Sequence, residues 1–145
     1  VDIFPVLVQI LPARSSIGRT STTRNEQPTT TKMSKYMFLF RGGSDMQNAS
    51  PADQQAGMMK WKVWMDDIAA KGKLVGGEPL HYGEGKVLSG RAKKITDGPF
   101  AEAKEIVGGY LIVDTANMDE AVELGKGCPI FDNDGSVEVR TVMQM

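Results

Sequence analysis

The chain has 145 residues and an ordinary globular composition, which suits one domain with one real core. Its formal charge of −1, with Lys93-Lys94 as the basic doublet and no basic patch interleaved with aromatics, argues against a nucleic-acid partner. No apolar run approaches the ~18 residues of a membrane helix, and the lone Cys128 rules out an intrachain disulfide and suits a reducing, cytoplasmic setting.

Residues 1–32 differ in character from the rest of the chain. Val6 to Leu11 is apolar but short and bracketed by Pro5 and Pro12, and a Ser/Thr/Arg-rich tract comes after it. Such a tract lacks the apolar surface to offset its own ordering entropy, so the expectation is a disordered or non-native N-terminal extension. Met33 then reads as a natural start, with an organelle transit peptide as the other account of the Arg-rich, acid-poor tail. Without the tail, residues 33–145 carry 13 basic and 16 acidic side chains, a net of −3.

Lys35 to Arg41 reads as the first strand, with Tyr36, Phe38 and Phe40 on one face and Met37 and Leu39 on the other. Ser50-Pro51-Ala52-Asp53 is a helix start, with Ser50 as N-cap, Pro51 at the first helical position and an acid where a capping box wants one. The helix is predicted to reach about Lys71 and stop at Gly72. Met58, Trp61, Met65 and Ile68 form its core stripe, flanked by Trp64 and Ala69, with Met59 and Val63 roughly opposite.

Lys73 to Tyr82 begins a second strand, which Pro79 confines to an edge or a bulge. Gly83-Glu84-Gly85 turns the chain, and Lys86 to Ile95 is predicted to return as one strand. Asp97-Gly98-Pro99-Phe100 is turn chemistry, because Asp97 can cap backbone N–H groups, Gly98 permits φ > 0 and Pro99 fixes φ. The loop leads into Gly109 to Asp114, again apolar on both faces. A second helix is predicted over 117–126, capped by Asn117, with Met118, Ala121 and Val122 as its apolar side. The last strand is Ser136 to Met143, with Val137, Val139, Thr141 and Met143 on one face and Glu138, Arg140 and Val142 on the other.

The Asp97-Gly98-Pro99-Phe100 motif, with Gly108-Gly109-Tyr110 downstream, resembles the hallmark of the YCII-related domain family, whose larger branch is named for its Asp-Gly-Pro-Phe (DGPF) motif. The likeness covers nearly all of residues 33–145. Strand and helix order independently suits an α+β, ferredoxin-like antiparallel sheet with two helices on one face. Two strands that are apolar on both faces leave the helix-free face needing cover, and a homodimer packed sheet to sheet supplies it. The resemblance implies the same, since the family is similar to dimeric α+β barrels.

His81 is the only histidine, the residue type suited to proton exchange near neutrality, and Asp97 approaches it if the second and third strands pair. Both are the candidate catalytic residues, and the resemblance implies a His–Asp pair of the kind proposed for the family's smaller branch. Glu102, Lys104 and Arg91 are candidate ligand contacts, the first two as a polar rim over an apolar floor, and Arg91 and Arg140 as bidentate anion recognisers. Glu105 shares the charged loop. One histidine, one distant cysteine and scattered acids do not reach a metal site's spacing, and no cofactor-binding motif is present. Two functions fit these residues: a small cofactor-independent enzyme, or a non-catalytic ligand-binding or regulatory dimer, which the resemblance links to sigma-factor pathways. A scaffold dimer without a small ligand is the third.

Overall fold

The computed structural model describes residues 32–43, 49–81, 83–98 and 105–145. The expectation for the N-terminal extension, save for Lys32, falls outside them. The elements are β1 (Ser34–Arg41), α1 (Pro51–Ala70), β2 (Leu74–Pro79), β3 (Lys86–Ser89), β4 (Lys94–Asp97), β5 (Val107–Thr115), α2 (Met118–Lys126) and β6 (Ser136–Thr141). A 3-10 turn, Pro129–Asn133, precedes β6.

Four strands form one antiparallel sheet in the order β2-β5-β1-β6, which is the ferredoxin-like arrangement. Phe38 pairs with Leu111 on one side and Val139 on the other, so Tyr36, Phe38, Phe40, Leu111 and Val113 share one face with Val137 and Val139. Both helices cover that face. Phe38 stacks on Trp64 of α1 with centroids 6.3 Å apart, and its ring tip lies against Gly125 of α2. Phe40 meets Trp61 and Trp64 edge-on at 5.2 and 6.1 Å. Burying each such ring contributes about 1.5–3 kcal/mol. The Trp64 indole N–H donates to the Leu124 carbonyl at 3.0 Å, which ties α1 to the end of α2 and satisfies a polar atom in the core.

The helix starts obey the expected chemistry. The Ser50 hydroxyl accepts from the Asp53 N–H at 3.2 Å, and Pro51 opens α1. Asn117 Oδ1 accepts from the Glu120 N–H at 2.9 Å, while Glu120 reaches back to the Ala116 N–H at 2.8 Å. Trp64, Met65 and Ile68 are buried, as the α1 stripe predicts, with Trp61 packed against them. In α2 the inward side is Ala121, Leu124 and Gly125; Met118 and Val122 stay exposed, because the small residues let the helix settle close over Phe38.

Two expectations are corrected. Among the described residues no sheet closes into a barrel: the four-stranded sheet is open, with β2 and β6 as its edges. β2 is six residues long, bulged between Leu74 and Gly76, and ends on a proline that offers no N–H, so nothing extends the ladder toward β6. The predicted single strand over 86–95 is instead a hairpin of its own, β3 paired with β4. A tight turn over 90–93 reverses the chain, with Gly90 at φ 70° and Lys93 at φ 53°.

Candidate functional site

Glycines set the geometry where β2 leaves the sheet. A Cβ on Gly77 would stand 2.5 Å from the Tyr110 carbonyl oxygen, and one on Gly109 would stand 3.0 Å from that of Glu78. Only hydrogen at these positions lets β2 lie this close to β5. Beyond Pro79, the Leu80 N–H donates to the Gly108 carbonyl at 2.9 Å, and the Gly98 N–H donates to the Gly85 carbonyl at 3.1 Å. The segment 80–85 is therefore pinned at one end to the foot of β5 and at the other to the end of β4.

His81 lies in that segment, exposed, one residue from the Leu80–Gly108 bond. Asp97 lies one residue from the Gly98–Gly85 bond, and its carboxylate pairs with Lys86 across the first rung of the hairpin. Both groups of that pair are well exposed, so its contribution to stability is small. The two bonds sit at opposite ends of 80–85, with His81 by the Gly108 end and Asp97 by the Gly85 end, and the charge partner that Asp97 shows is a lysine. Arg91 sits in the turn at the hairpin's far end, four rungs from Asp97, or about 13 Å at a strand's rise. Glu102 and Lys104, with Pro99, Phe100 and Tyr82, lie outside the described residues.

The helix-free face of the sheet adjoins this region. Register places Met37 beside Ile112 and Leu39 beside Tyr110, with Glu138 and Arg140 flanking from β6 and Glu78 from β2. Met37, Leu39, Tyr110 and Ile112 are half-buried. Arg41 crosses from the end of β1, donating to Glu138 Oε2 at 3.0 Å and to the Glu105 carbonyl at 3.0 Å. Arg140 donates to the other oxygen of Glu138 at 3.2 Å. The hydrogen bonds from Arg140 and Arg41 hold the Glu138 carboxyl below its ordinary range. Lys35, Arg41 and Arg140 share this face with Glu78, Asp114 and Glu138, so its charges balance, and the spare N–H donors of the two guanidinium groups beside the apolar floor are what a small anion would meet. Arg140 belongs to the sequence-level candidates, but Arg41 and Glu138 do not; the signal was their place on the Leu39 face, and it needs the β1–β6 register to be read.

A concavity lies on the helix side of the molecule, away from His81 and Asp97. It is a groove of about 820 Å³ between α1 and the segment after α2, floored by Val63, Trp64, Cys128 and Phe131 and bridged by the Lys60–Asp132 ion pair at 3.1 Å. Burial pushes the Cys128 thiol up to about 12, further helped by Asp132 and only partly offset by a hydrogen bond from the Ile130 backbone. A thiol so protonated is a packing group and not a nucleophile. Among the described residues no group of three His, Cys, Asp or Glu side chains is placed to hold a metal ion. No helix among them is long and apolar enough to cross a membrane.

A sequence profile of the YCII-related domain matches residues 35–145. Comparison with curated protein sequences finds no match. Among solved structures, the chain is similar to 5-chloro-2-hydroxyhydroquinone dehydrochlorinase from Burkholderia phenoliruptrix AC1100, determined in complex with 2,5-dihydroxybenzoquinone. The two share 15% sequence identity over 77% of this chain and 94% of that one, with a TM-score of 0.43.

Proposed function

Because the chain belongs to the YCII-related domain family, we propose that it is a small cofactor-independent enzyme of that family's Asp-Gly-Pro-Phe branch, acting on a small anionic molecule. The observation that carries this is the pinning of 80–85 between Gly108 and Gly98, which holds His81 and Asp97 in segments tied by backbone hydrogen bonds. His81 moves the proton; Asp97, once exchanged from Lys86, orients the imidazole. Arg41 and Arg140, both held by Glu138, offer their remaining guanidinium N–H donors to the substrate's anionic group at the sheet face. Arg41 also binds the Glu105 carbonyl, three residues from Gly108, and so links those donors to the His81 segment.

The test is proton exchange at carbon. A panel of small carboxylate-bearing carbon acids is incubated with the protein in D2O and followed by NMR. Exchange in the native protein is expected to fall about 10²–10⁴-fold in His81→Gln and by a smaller factor in Asp97→Asn. Both variants keep the native unfolding midpoint, since both side chains are exposed. Undiminished exchange in His81→Gln removes the proposal.

A second reading is favoured by the apolar centre of the helix-free face, Met37, Leu39, Tyr110 and Ile112, which neither helix covers. Two copies pairing through this face give a homodimer that binds a small ligand at its margin without chemistry, the behaviour of a regulatory module. The same face-to-face pairing also fits the enzyme, because it would dry the floor of its site.

A further inference from the structure

Among the described residues, no other element packs substantially against the β3–β4 hairpin. Seven of its eight strand residues are exposed, and only Thr96 is partly covered. Leu88 and Ile95 face each other across one rung at 65% and 64% exposure, with Val87 exposed on the other face. A lone two-stranded hairpin is marginal in water and needs a third strand or a packed surface. An apolar rung left this wet marks an interface.

Its charge says what lies on the other side. The hairpin, residues 86–97, carries four basic side chains, Lys86, Arg91, Lys93 and Lys94, against one acid, Asp97. The rest of residues 33–145 carries nine basic and fifteen acidic side chains. The arm is therefore positive and the body that bears it is negative, so the body of another copy attracts it while another copy's arm repels it. It follows the edge strand β2 of the open sheet and is fixed at its root by the Gly98–Gly85 bond.

We infer that the β3–β4 hairpin is an arm that packs on a second copy of this chain, closing the margin of that copy's helix-free face. Each copy's site is then incomplete without the other's Leu88–Ile95 rung, and Arg91 acts at the partner's face, not at its own. The inference rests on the two-copy pairing proposed above and adds to it a contact that face-to-face packing alone does not require.

Sedimentation velocity on the full chain across a concentration series separates the two. The native protein is expected to dimerise, Leu88→Ser with Ile95→Ser to raise the dissociation constant at least tenfold, and Arg91→Glu with Lys94→Glu to raise it similarly at low salt. Native dimers whose dissociation constant neither pair of changes moves would overturn the arm and leave the face pairing intact. A native chain that stays monomeric at tens of micromolar overturns both. Hydrogen exchange on the native chain gives an answer that needs no variant: the amides of 87–89 and 94–96 gain protection as concentration rises. Exchange at those amides that is the same in monomer and dimer overturns the arm.

Discussion

Gly77 and Gly109 decide how closely β2 can lie beside β5, and through that where His81 is delivered. Gly77→Ala places a methyl carbon 2.5 Å from the Tyr110 carbonyl oxygen, so the backbone must shift. The expected loss is about 1–3 kcal/mol, as for other over-packed positions, measured by urea unfolding. Gly72→Ala is a different case, since nothing lies near its Cβ and its φ of 70° alone resists the change. Cys128 supports a prediction with a sign. Its thiol is raised from 9.0 to about 12 by burial, so between those values the unfolded chain loses a proton that the folded chain keeps. Stability therefore falls as pH rises from about 9 toward 12, by at most ~1.4 kcal/mol per pH unit for the one group. Cys128→Ala is expected to flatten the slope relative to the native chain; equal slopes over that range would show that the thiol ionises freely in the fold. Glu138 works in the opposite direction. Its folded carboxyl titrates below the ordinary 4.5, so its contribution is present above that value and is lost as pH falls through the lower folded one. Glu138→Gln is expected to remove that component of acid unfolding.

At the scale of elements, α1 is the most legible part of the chain, because its signals are local. Ser50, Pro51 and Asp53 form the cap within four residues, and Met65 and Ile68 repeat at helical spacing. Ser50→Ala is expected to cost about 1 kcal/mol, read as a lower unfolding midpoint with little change in any ligand affinity. The region 86–97 was not legible as two strands, although Ser89-Gly90 is a turn dipeptide. Leu88, Ile95 and Val87 do not settle into one alternation, and the turn's other left-handed residue is Lys93, which no propensity rule selects. Lys93→Gly is accordingly expected to stabilise the hairpin by relieving a positive φ, seen as slower amide exchange in β3 and β4. The site was half legible for the same physical reason. His81 and Asp97 stand out by residue type, but their relation depends on Leu80–Gly108 and Gly98–Gly85 bonds that join distant parts of the chain. Arg41 and Glu138, 97 positions apart, meet only through strand register.

On the scale of the whole molecule, the open sheet leaves its two faces with opposite fates. One is sealed by α1 and α2 and holds nearly all fully buried apolar side chains, including Phe38, Leu111 and Val113. The other presents Met37, Leu39, Tyr110 and Ile112 to no element among the described residues that packs there. A sheet with one wet face ordinarily alternates apolar and polar; β1 and β5 do not, and the cost of wetting those four side chains scales with their apolar area at about 25 cal/mol per Å². That cost is removed if a second copy covers them, and it then couples folding to association. The unfolding midpoint of the native chain is expected to rise with protein concentration, because a partner that binds the folded state alone shifts the equilibrium by mass action. Ile112→Glu sets a carboxylate in the middle of the face, where pairing would bury it without a partner. Its monomer has no such burial, since Ile112 is only half-covered in one copy. The variant is therefore expected to fold, to sediment as a monomer and to show a midpoint independent of concentration. If native and variant midpoints both ignore concentration, the face is wet in solution and the pairing is wrong. If both depend on concentration equally, two copies meet through some other surface.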